Sequence, residues 1–356
     1  MQANEIAALE KYAHHFQPQI PKFREGKYVQ IIVLRETKSH TIFTTEGQAL
    51  HVERTPAGIE NVKPIERVVM YKRKQVAPER RTGKALLRQF GLCPSQDVKN
   101  RDGNVVVSEG ECQIIGQACG ICPDCILYGF VVTASGRTGS QRSRVLTDSG
   151  FVVRDLSQVI RNIKLNAINE TTSAGIVPGA YSHRENLMPE VFIPTVETLV
   201  DVTKEELIYV MGNILKTTRY GAESRREGFI RNHILGVYFS DVEVFSNLEM
   251  SQLFHDALNT TDSIPENLSL RDFVDNLVPV VNKCIEKALG RITMMTDQEV
   301  MELIHDIGAI YSNQKYLTGF LKELNEISTS YAGETQSYGQ RQIRNAEKKQ
   351  RTSVAM

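Results

Sequence analysis

Four of the six cysteines stand at positions 112, 119, 122 and 125, inside CQIIGQACGICPDCILYGF (residues 112–130). Two overlapping C-x-x-C steps put three thiols in one tight turn, a spacing unlike a disulfide framework in a chain this long. Crowded thiolates repel one another unless a cation neutralises them. The pattern therefore predicts tetrahedral zinc held by Cys112, Cys119, Cys122 and Cys125, and four thiolates leave no open position, so the metal would be structural. Gly116 and Gly120 let the backbone curl around an ion, and Pro123 stiffens the second step. Two other readings stand beside this one: a redox C-x-x-C, which should open a helix after a strand with few further thiols nearby, and buried cysteines without a ligand. Cys93 could replace Cys112 as fourth ligand across the polar loop 94–110. Cys284 lies in an apolar helical pattern and reads as core.

The 356 residues, 41% of them apolar, can bury a large core as one elaborate domain or two simple ones. No apolar run approaches the roughly 18 residues a membrane span needs. The opening MQANEIAALEKYAHH lacks the apolar core of a signal peptide, and with reduced cysteines it suggests a cytoplasmic protein. A net charge of zero hides segregation: residues 63–88 hold nine Lys or Arg against two Glu, whereas 241–306 hold thirteen Asp or Glu against four Lys or Arg. The first window suits a polyanion, unless its charges merely line a solvated face.

Along the chain, residues 4–16 show a short amphipathic helix with Ile6, Leu9 and Tyr12 on one side. YVQIIVL (28–34) is apolar on both faces, as in an interior strand. A strand at 67–71 runs into KRKQVAPERRTGKALLR, where Pro78 and Glu79 predict a turn and Thr82 a helix cap. Gly83 and Lys84 would then sit in a first turn whose free N–H groups attract phosphate. Walker A spacing is absent, so nucleotide hydrolysis gains no support.

The loop around Gly136 and Gly139 carries Arg137, Arg142 and Arg144, which can contact a phosphodiester backbone without reading a base. NAINETTSAGIVPGAYSHRENLMPEVFIP (166–194) reads as an extended hairpin. Ile176, Val177 and the Pro178-Gly179 turn form its tip, with His183, Arg184, Leu187 and Met188 close behind. An apolar tip needs a partner, either a neighbouring subunit or nucleic-acid bases.

Residues 195–202 read as an alternating strand. Thr203 with Glu206 is a capping box opening a helix. Gly221 and Gly228 mark a basic loop with Arg219, Arg225 and Arg226, and 234–239 gives a final strand. Mixed strands, helices and hairpins favour an α+β sandwich over a doubly wound sheet. Acidic helices follow, with capping signals at Thr296/Glu299 and Ser269/Asp272. From residue 333 the chain is poor in apolar residues and rich in Lys and Arg, which predicts a disordered tail with a secondary capacity for RNA.

RRTGKALLR, CGICPDCILYGF, SRVLTDSGFVVRD, the long hairpin and RYGAESRREGF together resemble the backbone subunit of type I-D CRISPR effector complexes. That subunit belongs to the Cas-seven branch of the repeat-associated RNA-binding proteins. The resemblance spans about 28–244, and CPDCILYGF after a cysteine-rich loop is its most specific element. It implies a modified RRM-like, ferredoxin-type core at 28–245, a zinc-binding insertion at 93–130 and a thumb hairpin at 166–194. A helical segment at 246–330 and a basic tail at 331–356 would complete the chain.

The resemblance further implies copies polymerising along a guide crRNA, with other effector subunits, to present it to target DNA or RNA. Arg80, Arg81, Lys84 and Arg88 match the helix along guide phosphates. Arg137, Arg142 and Arg144 match the loop beside the zinc insertion; residues 176–184, with Met188, match the thumb; Arg219, Arg225 and Arg226 match the Gly-rich element. Some relatives cut target RNA with an Asp after the first core strand. Residues 29–61 contain no Asp, only Glu36, Glu46, Glu53 and Glu60, so a non-catalytic scaffold is expected. A metal-dependent ribonuclease using Glu46 is the rival.

Overall fold

A strand that is apolar on both faces must be covered on both, and that requirement organises this molecule. In the computed structural model, YVQIIVLRET forms β1 (Tyr28–Thr37), buried at nine of its ten positions. The structure describes residues 6–44, 49–93, 95–99, 105–115, 118–132, 139–165, 182–259 and 264–354, without the side chains of 95–99, 105–111, 164–165, 182–183 and 336–354. β2 (Val145–Thr147), β3 (Phe192–Val200), β4 (Ile230–Ser240) and β5 (Ile292–Met294) complete an antiparallel sheet in the order β5-β4-β1-β3-β2. β1 sits at its centre, with Ile31 opposite both Glu197 and Val237.

Alternate residues of β1 point to opposite faces. Val29, Ile31 and Val33 pack with Leu86 and Leu87 of α1 (Lys72–Gln89) and with Leu207, Met211 and Ile214 of α3 (Lys204–Lys216). Ile32 and Leu34 pack with Leu253 and Phe254 of α4 (Asn247–Leu258) and Phe273 and Leu277 of α5 (Leu270–Ile285). Each such side chain contributes about 1.5–3 kcal/mol by leaving water. The result is three layers, helices on sheet on helices. Because both faces are covered, β3, expected to alternate, is buried at every position.

α1 begins earlier than its sequence suggests. No turn forms at Pro78: the helix starts at Lys72 and carries Pro78 inside it. A proline there forfeits one backbone bond, and the surrounding Lys, Arg, Gln, Ala and Leu are strong helix formers. Thr82, Gly83 and Lys84 are consequently mid-helix, where backbone N–H groups are already bonded, so the expected phosphate site at a helix start does not exist. Gly83 has another reason to be glycine. A Cβ at this position would collide with Tyr209 and Asn213 of α3, so its absence lets the two helices cross closely.

All three capping boxes form, at Thr203/Glu206, Ser269/Asp272 and Thr296/Glu299. The last opens α6 (Asp297–Ser312). Glu299 also accepts from Tyr12 (2.8 Å) and Lys11 Nζ (3.0 Å), fastening the N-terminal segment on which Ile6, Leu9 and Tyr12 are buried as expected. The backbone N–H of Thr296, then Tyr12 and Lys11, hold the Glu299 carboxyl down at about 2. Its stabilising effect is thus complete above the ordinary carboxylate pKa and is lost as pH falls through about 2. The stability gap between wild type and Glu299→Gln, measured by urea unfolding, should be constant from pH 6 to 5 and shrink steadily below pH 4.

After α6, residues from Gln314 to Val354 continue as α7. The helix runs through the stretch from 333 expected as a disordered tail; ahead of that stretch Ser328 and Ala332 are buried, and Ala332 packs with Ile20 and Ile126. No helix among the described residues is long and apolar enough to cross a membrane.

Candidate metal centre and nucleic-acid interface

The cysteine loop folds as its spacing demands. Cys122 precedes α2 (Pro123–Tyr128), Pro123 takes the first helical position, and Gly120 adopts φ +73° between two ligand-bearing turns. The Sγ atoms of Cys112, Cys119, Cys122 and Cys125 all lie within 4.8 Å of one another and are buried. Zinc–sulfur bonds of about 2.3 Å place the sulfurs of a tetrahedron about 3.8 Å apart. Here Cys112–Cys125 is 3.4 Å, Cys119–Cys125 3.9 Å and Cys112–Cys122 4.0 Å.

Backbone N–H groups point at these sulfurs, from Cys119 to Cys112 Sγ (3.1 Å) and from Cys122 to Cys119 Sγ (3.3 Å), as thiolate acceptors require. The donor set therefore fits a zinc ion. Cys93 is buried against Cys122 but lies outside the four-sulfur set. Cys284 is core, 3.8 Å from Met250 Sδ.

Two basic residues assigned to guide contacts turn inward. Lys84 is buried, and Nζ donates to Cys112 Sγ (3.0 Å) and pairs with Asp124 Oδ2 (3.2 Å). Burial disfavours the ammonium, but Asp124, Cys122 and Cys125 more than offset this, and the Lys84 pKa rises. Arg80 grips Asp124 with two bonds, 3.2 and 2.7 Å, and also donates to the carbonyl of Gly129 (3.1 Å). Arg144 turns inward as well, holding the Glu206 carboxylate with both Nη atoms and joining β2 to the start of α3.

Part of the basic window is likewise structural. Arg67 is fully buried and donates to the carbonyls of Ala57, Val152 and Val153; burial lowers its pKa to about 10.

Arg81 faces outward, and Lys74 and Arg88 on the same helix are half-buried. Lys74, Arg81 and Arg88 recur every seven residues on α1, which puts them along one face at intervals of about 10 Å. Arg73 and Arg81 are exposed; burial, then the neighbouring Arg73 and Arg81, lower the Lys74 pKa. Arg88 Nη2 also donates to the Cys112 carbonyl (2.9 Å). Between this face and the cysteine loop runs a groove of about 680 Å³ lined by Arg81, Lys84, Arg88, Gln113 and Ile115, and Ile115 is 85% exposed.

Other predicted elements abut α1. Thr217 Oγ1 donates to Thr82 Oγ1 (2.8 Å) and Tyr220 to Glu79 (2.9 Å), so the segment leading into the Gly-marked loop lies against the helix. In that loop Arg225 and Arg226 are exposed, and exposed Arg219 covers the Phe229 ring at 5.5 Å. Arg184, on the hairpin base formed by Ile160–Leu165 and Ser182–Leu187, pairs with Glu223 of the loop. Met188 packs beneath the hairpin base. Arg142 is exposed beside the short pairing of Phe130 with Gln141. Arg137, Ile176 and Val177 lie outside the described residues, as does the side chain of His183.

The residue reading missed a buried polar network under this surface. Arg35 donates to Glu79 (2.7 Å), Glu197 (3.0 Å), Thr195 (3.1 Å), Asn232 (3.1 Å) and Tyr220 (3.2 Å), with Arg35, Glu79 and Glu197 fully buried. Its signal was a charged residue near the end of an otherwise apolar strand.

The family model described as Csc2 Crispr matches residues 15–321. The chain belongs to the Csc2 CRISPR family. This Csc2-family chain is also similar to the crystal structure of Thermofilum pendens Csc2, at 17% identity and a TM-score of 0.66 over 96% of this chain and 98% of that one, which shows a shared fold. A CRISPR RNA-guided surveillance complex chain matches at 9% identity and TM-score 0.43, over 74% of this chain and 88% of that one. A second such complex, in a pre-nicking state, matches at 10% and 0.44, over 73% and 88%. No curated protein matches the Csc2-family sequence.

Proposed function

We propose that this chain is the guide-RNA-binding backbone subunit of a type I-D CRISPR interference complex. Copies line up along a crRNA and, with other effector subunits, present it for pairing with target DNA. Four cysteines hold a structural zinc, which supplies cross-linking and no chemistry.

The observation that carries the reading is the row Lys74, Arg81 and Arg88 on one face of α1, of which Arg81 and Arg88 line the groove beside the cysteine loop. Such a row grips phosphates and leaves base edges free. The element sequence β1-α1-β2-β3-α3-β4, with strand order 4-1-3-2, supports an RRM-like core. Yet α4 and α5 cover the face on which an RRM stacks bases, so contact through helix and loops is favoured here. The Arg184–Glu223 pair supports a thumb hairpin anchored to the Gly-marked loop.

A non-catalytic role is supported by the absence of Asp from residues 29–61 and by Glu36, which is held by Lys38 and by His233 (2.9 Å). Regularly spaced cleavage of complementary RNA in magnesium, abolished by Glu46→Ala, would overturn that part.

Fluorescence anisotropy with single-stranded RNA across a salt series tests the binding surface. Arg81→Ala should weaken binding to every sequence alike and reduce the slope of log K against log salt by about 0.7. An unchanged slope for both Arg81→Ala and Lys74→Ala would sink the assignment.

A further inference from the structure

We infer that Lys84 is the buried counter-cation of the metal centre, and that through it the metal fixes the position of the basic face of α1. The inference rests on the zinc reading above. Four thiolates around a divalent cation leave two net negative charges, and buried charge needs a partner. All four cysteines are buried, and among the described residues Lys84, itself 1% exposed, sets its ammonium directly against their sulfurs. Its Nζ lies 3.0 Å from Cys112 Sγ, 3.8 Å from Cys125 Sγ and 3.9 Å from Cys122 Sγ.

An ammonium has three donors, and here they are surrounded by sulfur and by Asp124 Oδ2 at 3.2 Å. Asp124 belongs to α2, one residue from Cys125, and also holds Arg80 of α1. Lys84 and Arg80 stand one turn apart on α1, so the helix reaches the cysteine loop twice, through sulfur and through one shared carboxylate.

Lys84 contributes to the groove wall, but at 1% exposure and with its ammonium held by Cys112 Sγ and Asp124 it is not placed to serve a phosphate arriving from solvent. It can do something else for the RNA. Arg81 and Arg88 line one side of the groove and Gln113 and Ile115, which follow Cys112 directly, flank the other. The Lys84–Cys112 contact spans those two sides. The separation between the phosphate-gripping row and the cysteine loop is therefore set by the metal centre. Partners of ligands typically govern metal affinity by 10–100-fold.

The test uses the full chain, zinc-loaded, in competition with a chromophoric chelator, alongside the RNA salt series. Lys84→Met should lower zinc affinity about 10–100-fold and, at saturating zinc, weaken RNA binding because the groove is no longer held, while the RNA salt slope, which counts phosphate contacts, stays equal to wild type. Arg81→Ala should leave zinc affinity unchanged and reduce the slope. Equal zinc affinity or equal RNA affinity in Lys84→Met and wild type would overturn the inference, as would a slope reduced as much as in Arg81→Ala.

Wild type that binds no zinc would instead remove the metal reading itself. A second measurement needs no variant. Amine-modifying reagent read by mass spectrometry should label Lys72 and Lys74 in the zinc-loaded protein but reach Lys84 only after chelation. Labelling of Lys84 as fast as Lys74 in loaded protein would also overturn it.

Discussion

Replacing Arg35 with methionine is expected to destabilise the protein by about 3–5 kcal/mol, read as a lowered urea midpoint at unchanged slope. The guanidinium is fully enclosed between Glu79 and Glu197, and its removal would strand carboxyl groups that cannot reach water. Burial works against the charged Arg35, but Glu79, Tyr220 and Glu197 more than compensate, so its pKa is raised. Burial, then the neighbouring Glu79, push the Glu197 carboxyl well above the usual carboxylate range.

One cation flanked by two carboxyls is neutral when Glu197 carries a proton. Glu197→Gln, which preserves shape and mimics the protonated acid, should therefore cost far less than Arg35→Met. Equal losses for the two would show that both carboxyls are ionised.

Removing the metal should have the second large effect. Cys122→Ser takes away one of four ligands, and chelation takes away the ion; either leaves buried sulfur and Lys84 without the charge that matched them. Wild type should carry one zinc per chain, and the variant should lose it together with a large part of its thermal stability. Structural zinc in small domains contributes on the order of 10 kcal/mol. Because α2 also buries its own Ile126 and Leu127, the loss here should leave a folded core with a loosened cysteine region. Stoichiometric zinc and an unchanged melting temperature in Cys122→Ser would refute the assignment.

What could be read from the chain before its fold was known divides by the range of the interaction. The four clustered cysteines lie within fourteen residues, and the capping boxes span four, so local spacing exposes them. β1 declared its interior position through an apolar run on both faces. The family resemblance drawn from CPDCILYGF and its companions was borne out over most of the chain.

Misreadings arose where tertiary contacts decide. Pro78 looked like a turn, but the packing of Leu86 and Leu87 against the sheet sustains the helix through it. Lys84 and Arg144 looked like exposed cations, because nothing near them in sequence announces Asp124 or Glu206 as partners. Arg35 reaches Glu79, Glu197, Tyr220 and Asn232, and no local pattern connects five such distant positions. A further overlooked clue was arithmetic: Lys74, Arg81 and Arg88 differ by seven, and seven residues return a helix to nearly the same side.

Helices close over both sides of the central sheet, leaving it no bare platform. Under the proposed role this makes the subunit indifferent to spelling: it grasps the ribose-phosphate thread from outside and takes no part in choosing letters. Every newly acquired spacer could then be loaded onto the same unaltered protein, and discrimination between invaders would reside wholly in the nucleotides it carries.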